Sequence, residues 1–255
     1  DMIDGYLHER FADAIRSIEI AEKDHGGIGT YNEKTLHAVL KNFFEPDSAY
    51  HEIPVNNYIA DIKNSDGIIE IQTSGFGTIR DRLEVFLSLS DVTVVYPIAA
   101  VKSLVWIDPE TGAAESKRKS PKRGNAAQIL PEMCRLYKII KNERLHFVCA
   151  MLELTEYRIR DGWGNGGKRG SHRLDRIPTG IVDIVEIRAS GDLRRFVPAG
   201  EFTSKDFASF SGFSTKSRRD ISMSLKLLEY TGVIEKCGKK RNAIIYRTPS
   251  YLSSE

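Results

Sequence analysis

Cysteine is scarce in this chain: Cys134, Cys149 and Cys237 are its three thiols among 255 residues. They lie far apart and form no Cys-x-x-Cys pair. Neither a disulfide framework nor a structural zinc site is expected, and a reduced, cytoplasmic compartment is the expected setting. No apolar run reaches the roughly 18 residues that a membrane helix needs, so no membrane partner is expected. The first stretch, DMIDGYLHERFADAIRSIEIAEKDHGG, is acidic and helical in pattern, unlike a signal peptide. Internal repeats are lacking too. What is present is an ordinary globular composition, 41% hydrophobic and 28% charged, with room for a full core and one small extra domain.

The net charge of +2 hides an asymmetry. Residues 1–114 carry 9 Lys and Arg against 19 Asp and Glu, whereas residues 115–180 carry 15 against 7. Residues 196–255 are basic again, with 10 against 6. An acidic part joined to basic parts suggests a polyanion partner, with the acids reserved for another task such as holding metal. Uneven charge is also common in chains of this size, so charge alone leaves the partner open.

Leu7, Phe11, Ala14, Ile15 and Ile18 recur at helical spacing up to Gly26-Gly27, and Leu36, Val39, Leu40 and Phe43 form the stripe of a second helix closed by Pro46. AYHEIPV and NYIADIK read as strands joined at Asn56-Asn57, and NSDG turns the chain into a third strand, GIIEIQT. GFGTIRDRLEVFLSL returns to helical period, and DVTVVYPI reads as a buried strand. A strand–helix–strand passage implies a parallel crossover, hence a mixed α/β sheet. VKSLVWIDPETGAAES reads as a further hairpin. A helix near Leu130–Ile140 and a strand near His146–Leu154 separate two basic stretches, KRKSPKRGN and RDGWGNGGKRGSHRLDR.

Within the hairpin at NSDG, Asp61, Glu70 and Gln72 fall on one face, because side chains alternate with period two. A loop at Ser65-Asp66 places Asp61 opposite Glu70. A loop at Asp66-Gly67 places Asp61 opposite Gln72 and Glu70 opposite Lys63. Directly opposed side chains are about 5 Å apart, where like charges are destabilising. A divalent cation neutralises such a pair, since carboxylate oxygens suit magnesium. A Lys63–Glu70 pair on a solvated face is the plainer alternative.

The series Asp61, Glu70, Gln72, Thr73 resembles the core of the PD-(D/E)-x-K nuclease superfamily, nearest to archaeal-type Holliday junction resolvases and some restriction endonucleases. The likeness covers roughly residues 30–97. It implies a restriction-endonuclease-like mixed sheet flanked by helices, and metal-dependent hydrolysis of DNA phosphodiesters with Mg²⁺ or Mn²⁺. Asp61 and Glu70 would then be metal ligands, with the main-chain carbonyl of Ile71 as a third. Gln72 would occupy the slot of the family lysine, and Glu33 would match the extra acid that many members supply. Ala60 replaces the name-giving proline. Gln72 orients water by hydrogen bonds but carries no positive charge. Glu33 also fits a capping box with Thr30.

After Pro198 the pattern resembles a winged-helix module, with helices at Ser204–Ser211 and Ser214–Tyr230 and a basic wing. Lys216, Arg218 and Arg219 at the second helix and Lys239, Lys240 and Arg241 in the wing suit phosphate contacts. Lys168, Arg169 and Arg173 in the Gly-rich stretch, and Arg80 after the motif strand, are further candidates for DNA binding. The organisation expected is an α/β nuclease-like domain over residues 1–195, with a basic Gly-rich insertion at about 115–180, followed by a small winged-helix domain over residues 196–255. The function expected is a magnesium-dependent DNA endonuclease. The alternatives are a DNA-binding regulator on a nuclease-like scaffold that does not cut, or a winged-helix module that binds protein. Cutting both strands of a duplex usually takes two sites, which points to a homodimer.

Overall fold

Two-residue loops set the register of the first strands. A computed structural model of the chain describes residues 2–24, 34–73, 75–163, 169–214 and 216–249. Strands β1 (His51–Val55) and β2 (Tyr58–Asn64) pair antiparallel around Asn56-Asn57. Asn56 takes a left-handed conformation there (φ 52°), which asparagine tolerates better than most residues. Strand β3 (Gly67–Ile71) follows through Ser65-Asp66, pairing Asn64 with Gly67 and Ile62 with Ile69. Gly67 has φ 134°, and a Cβ on it would stand 2.6 Å from the Asp91 carbonyl. Glycine at this point lets β3 start alongside the strand that follows Asp91.

Helix α3 (Arg80–Leu87) carries the chain from β3 to β4 (Val92–Ile107), which runs parallel to β3. Helix α4 (Leu130–Cys134) then leads into β6 (Leu145–Trp163), parallel to β4, and β7 (Arg169–Ile187) returns antiparallel. With the two-residue strand β5 (Arg118–Lys119) on β4, these form one mixed seven-stranded sheet in the order β1-β2-β3-β4-β6-β7. Against β6, strand β7 holds three surplus residues, Val182, Thr179 and Leu174, each a bulge.

The sheet is covered on both faces. Helices α1 (Met2–Asp24) and α2 (Lys34–Phe44) bury Phe11, Ala14, Leu36, Val39, Leu40 and Phe43 against Ile62, Ile71, Val95, Ala150 and Leu152. Their spacing is the helical period seen in the sequence; Gly26-Gly27 lies outside the described residues. On the other face α3 and α4 bury Leu83, Phe86, Leu130 and Met133 against Val94, Phe147 and Cys149. Each fully buried Leu or Phe contributes about 1.5–3 kcal/mol.

The span 115–180 differs from the expected insertion. It supplies β5, α4, all of β6 and most of β7, so it is built into the sheet. Strands β4, β6 and β7 run 16, 19 and 19 residues, well past the helices that cover their inner halves. The outer halves of β6 and β7 carry charge and glycine where their inner halves are apolar, which hides their extent from hydropathy patterning. The segment 92–107 is likewise one strand, with a bulge at Ala100 where two separate strands were expected.

The C-terminal elements are β8 (Phe202–Thr203), α5 (Ser204–Phe210), α6 (Arg218–Tyr230), β9 (Glu235–Lys240) and β10 (Ala243–Arg247), with a three-stranded sheet in the order β8-β10-β9. Thr203 and Asp206 close a capping box at the start of α5. Helix α6 begins at Arg218, not at Ser214. The Ser214 hydroxyl accepts from the Lys216 N–H, and the Ser217 N–H bonds to the Ser214 carbonyl, a local turn that competes with helix. A single apolar cluster runs from Val94 and Phe147 through Phe196 and Phe207 to Leu228 and Tyr246, so these elements are docked on the main sheet.

Candidate functional site

The β2–β3 ladder ends with Ile62 opposite Ile69, and continuing that register sets Asp61 opposite Glu70. There the two carboxylates replace ladder bonds. The Asp61 N–H donates to Glu70 Oε1 at 3.2 Å, and the Ile71 N–H donates to Asp61 Oδ2 at 2.7 Å. Each acid thereby ties its own strand to the opposite one. On the other flank Glu52 faces Asp61, since His51 pairs with Ile62 and Ile53 with Ala60. Glu52 has φ 51°, a left-handed conformation that costs a non-glycine residue about 1–2 kcal/mol. Backbone strain of this kind clusters at functional sites.

The two acids are anchored to opposite helical layers. His37 of α2 places Nε2 3.1 Å from Asp61 Oδ2. Arg82 of α3 places Nη2 2.5 Å from Glu70 Oε2, and Glu70 is 1% exposed against 26% for the arginine. That contact lacks hydrogen-bond geometry, and Glu70 Oε2 has no hydrogen-bond partner. Lys63 is not the partner of Glu70: the observed register puts it opposite Ile68 and its side chain is exposed.

Burial alone would raise the Asp61 carboxyl, but the His37 bond and charge, the Ile71 amide and Arg82 hold it below the usual range. Glu70 moves the other way. Burial first, and the Asp61 charge second, push it up to about 8 against the opposing pull of Arg82. A buried pair whose members are pushed apart in this way is a frequent mark of a functional site.

The chemistry of the donor set fits a hard divalent cation: two carboxylates at one break in a ladder, one of them with a buried oxygen that lacks a hydrogen bond. Binding there requires Arg82 to yield its place, and its partial exposure gives it room to turn. Ile71 lies beside both acids on β3. Gln72 is buried, and its Nε2 lies 3.4 Å from the Gly75 carbonyl and 3.5 Å from Thr78 Oγ1. The amide therefore engages the turn at 76–78, which Glu132 fixes through the Phe76 N–H at 3.0 Å. Glu33 and Lys168 lie outside the described residues.

Arg80, at the start of α3, pairs with Asp81 at 3.2 Å. Lys216, Arg218 and Arg219 are exposed at the approach to α6, and Lys239, Lys240 and Arg241 are exposed at the β9–β10 turn. Arg169 and Arg173 belong to the outer part of β7. These cations sit on elements other than the hairpin. Arg82, His37 and Glu52, none of them among the site residues expected from the sequence, are the ones that join the acid pair. Their positions one helix or one strand away in sequence carry no periodic signal.

A family model described as a domain of unknown function, DUF8091, matches residues 34–188, and the chain belongs to that family. The match runs from α2 to the end of β7, so it contains the acid pair and the whole main sheet. An uncharacterized protein of Treponema pallidum (strain Nichols) is 30% identical over 167 residues, covering 65% of this chain and 66% of that protein. No solved structure matches. No helix among the described residues is long and apolar enough to cross a membrane.

Proposed function

We propose that this chain is a DNA endonuclease that hydrolyses phosphodiester bonds with Mg²⁺ or Mn²⁺ at the open end of the β2–β3 hairpin. The observation that carries the reading is the cross-strand pair itself. Asp61 and Glu70 each spend one oxygen on the backbone of the opposite strand, and Glu70 Oε2 is left buried without a hydrogen bond. When bound, the metal would activate water and stabilise charge on the phosphate. The chain's own part is to hold the two acids in place through the Asp61 and Ile71 amides and to keep Asp61 ionised through His37. Gln72 orients by hydrogen bonds only, so positive charge near the acids comes from Arg82.

The C-terminal order β8-α5-α6-β9-β10 supports the reading of a winged-helix module. Lys216, Arg218 and Arg219 would face phosphates at its second helix, and Lys239, Lys240 and Arg241 in its wing.

The test incubates plasmid, linear and branched DNA with Mg²⁺ or Mn²⁺. Asp61→Ala and Glu70→Ala are expected to lower cleavage at least about 100-fold while DNA affinity stays within about threefold. Equal cleavage by native and substituted chains would remove the enzymatic reading. A second reading, a DNA-binding regulator that does not cut, draws on the side chain of Gln72 being engaged at the 76–78 turn and on Arg82 occupying Glu70. Salt-dependent binding without cleavage in either metal would carry it.

A further inference from the structure

Strand β4 has two edges, and β6 occupies one of them along its whole length, from Val92 to Ile107. Everything else that pairs with β4 must share the other edge. Strand β3 takes its inner part, ending with Ile71 opposite Val95 and the Gln72 N–H on the Val95 carbonyl at 2.9 Å. The chain then returns to the same edge further out. Gly124 N–H bonds to the Ala99 carbonyl and Ser120 N–H to the Lys102 carbonyl, at 2.9 and 2.8 Å, and Lys119 and Arg118 pair with Ser103 and Leu104. Residues 117–124 are thus a strap laid along the edge that begins with the acid pair.

The strap is pinned at close range. A Cβ on Gly124 would stand 2.6 Å from Ile98 Cγ2 and 2.7 Å from the Ala99 carbonyl. Ser120 is buried, and its hydroxyl accepts from the Lys122 N–H at 3.2 Å. Asn125 caps the following turn and reaches the Ser211 carbonyl at 2.8 Å. Between these anchors Lys117, Arg118, Lys119, Lys122 and Arg123 are all exposed, and none forms an ion pair with a described residue.

The surroundings do not cancel that charge. The outer sheet segments 100–107, 115–123, 155–163 and 169–178 hold 11 Lys and Arg against 4 Asp and Glu. Of those acids, Glu156 and Asp175 are buried, Glu156 is occupied by Lys102 and Arg158, and Glu115 is exposed just before the strap, one acid against its five cations. Asp108 and Glu110 sit beyond the strap at the far tip of the hairpin. Five unpaired cations on a rigid edge fit a partner with regularly spaced negative charge.

We propose that the strap, residues 117–123, is the surface on which the backbone of duplex DNA lies as it approaches the Asp61–Glu70 site. This rests on the nuclease reading above. At about 3.3 Å per residue, Ala99 and Leu104 lie roughly 13 and 30 Å along β4 from Val95. The strap therefore covers phosphates about 4 to 9 base pairs from the acids, at about 3.4 Å per base pair.

The test measures anisotropy of labelled 6-, 10-, 14- and 18-base-pair duplexes in EDTA across a salt series. Three chains are compared: native, one combining Lys117→Ala, Arg118→Ala, Lys119→Ala, Lys122→Ala and Arg123→Ala, and one combining Lys239→Ala, Lys240→Ala and Arg241→Ala. The strap variant is expected to bind about 100-fold more weakly at 100 mM salt. The slope of log affinity on log salt should shrink by about 3, and the gain in affinity between 6 and 14 base pairs should vanish. These substitutions sit on an exposed edge, and an unchanged melting temperature confirms the fold. Affinity and slope within twofold of native would overturn the strap assignment while leaving the nuclease reading intact. A native chain that binds no duplex at 50 mM salt would overturn both readings.

Discussion

Two buried glutamates in the same sheet behave in opposite ways. Glu156, in the outer half of β6, is 4% exposed and receives Lys102 Nζ at 3.2 Å and Arg158 Nε at 2.5 Å, both as hydrogen bonds. Burial raises its carboxyl, but the Arg158 bond and the Lys102 charge outweigh that and hold it below the ordinary range. Glu70, on β3, has one guanidinium beside it without hydrogen-bond geometry, and Asp61 as a like-charged neighbour. Both are shielded from solvent, but Glu70 is the more deeply desolvated and faces the Asp61 charge, while Glu156 has two well-aimed donors. Glu156 is held by two hydrogen-bonded cations, whereas Glu70 has an ion pair with Arg82 but an Oε2 without a hydrogen bond.

The largest expected effect separates them by stability. Glu156→Gln should cost about 2 kcal/mol at pH 7, because it leaves two cations facing a neutral amide. Glu70→Gln should cost less than about 0.5 kcal/mol, since a carboxyl pushed up to about 8 is largely neutral at pH 7 and the amide matches that form. Urea melts measure both, and equal losses would break the contrast.

Metal sharpens it next. Mg²⁺ at ten times its dissociation constant should stabilise the native chain and Glu156→Gln by about 1.4 kcal/mol, a rise of roughly 3 °C in Tm, and should leave Glu70→Gln unmoved. Calorimetric scans with and without Mg²⁺ would show it. Identical rises in all three chains would place the ion elsewhere.

The pH responses should then have opposite signs. The Glu70 pKa is raised from 4.5 to about 8, so its stabilising contribution is complete below pH 4.5 and lost as pH rises through about 8. Above that pH Glu70→Gln should be more stable than native by about 1 kcal/mol or more. The Glu156 pKa is lowered, so its contribution is present above pH 4.5 and lost as pH falls below it. Melts from pH 4 to 9 test both directions. The smallest effect concerns Glu52: Glu52→Gly should gain just under about 1 kcal/mol, relieving the left-handed backbone at the expense of the exposed Lys41 pair.

The inner sheet was legible from the sequence because its signals are local. Asn56-Asn57 announces its loop and NSDG its turn, with the choice of Ser65-Asp66 over Asp66-Gly67 left to the structure, and period-two alternation puts Asp61 and Glu70 on one face. The partners that decide their chemistry were not legible in the same way. His37 and Arg82 arrive from opposite layers, and no spacing along one strand reports a contact made by a helix. The outer halves of β6 and β7 misled for a different reason. Sequence patterning finds strands by the apolar face they bury, and here ladder pairing continues for several residues after that face has ended. The start of α6 was placed too early because Ser214 offers the backbone a turn that hydropathy does not weigh.

The sheet's two outermost strands also constrain how copies of this chain can meet. On β7 the surplus residues Val182, Thr179 and Leu174 interrupt an even row of donors and acceptors, and β1 holds Pro54 together with the left-handed Glu52. A continuous intermolecular ladder needs an even rim, and neither rim is even. If two copies act together on the two strands of a duplex, these uneven rims disfavour joining them by extension of the main sheet.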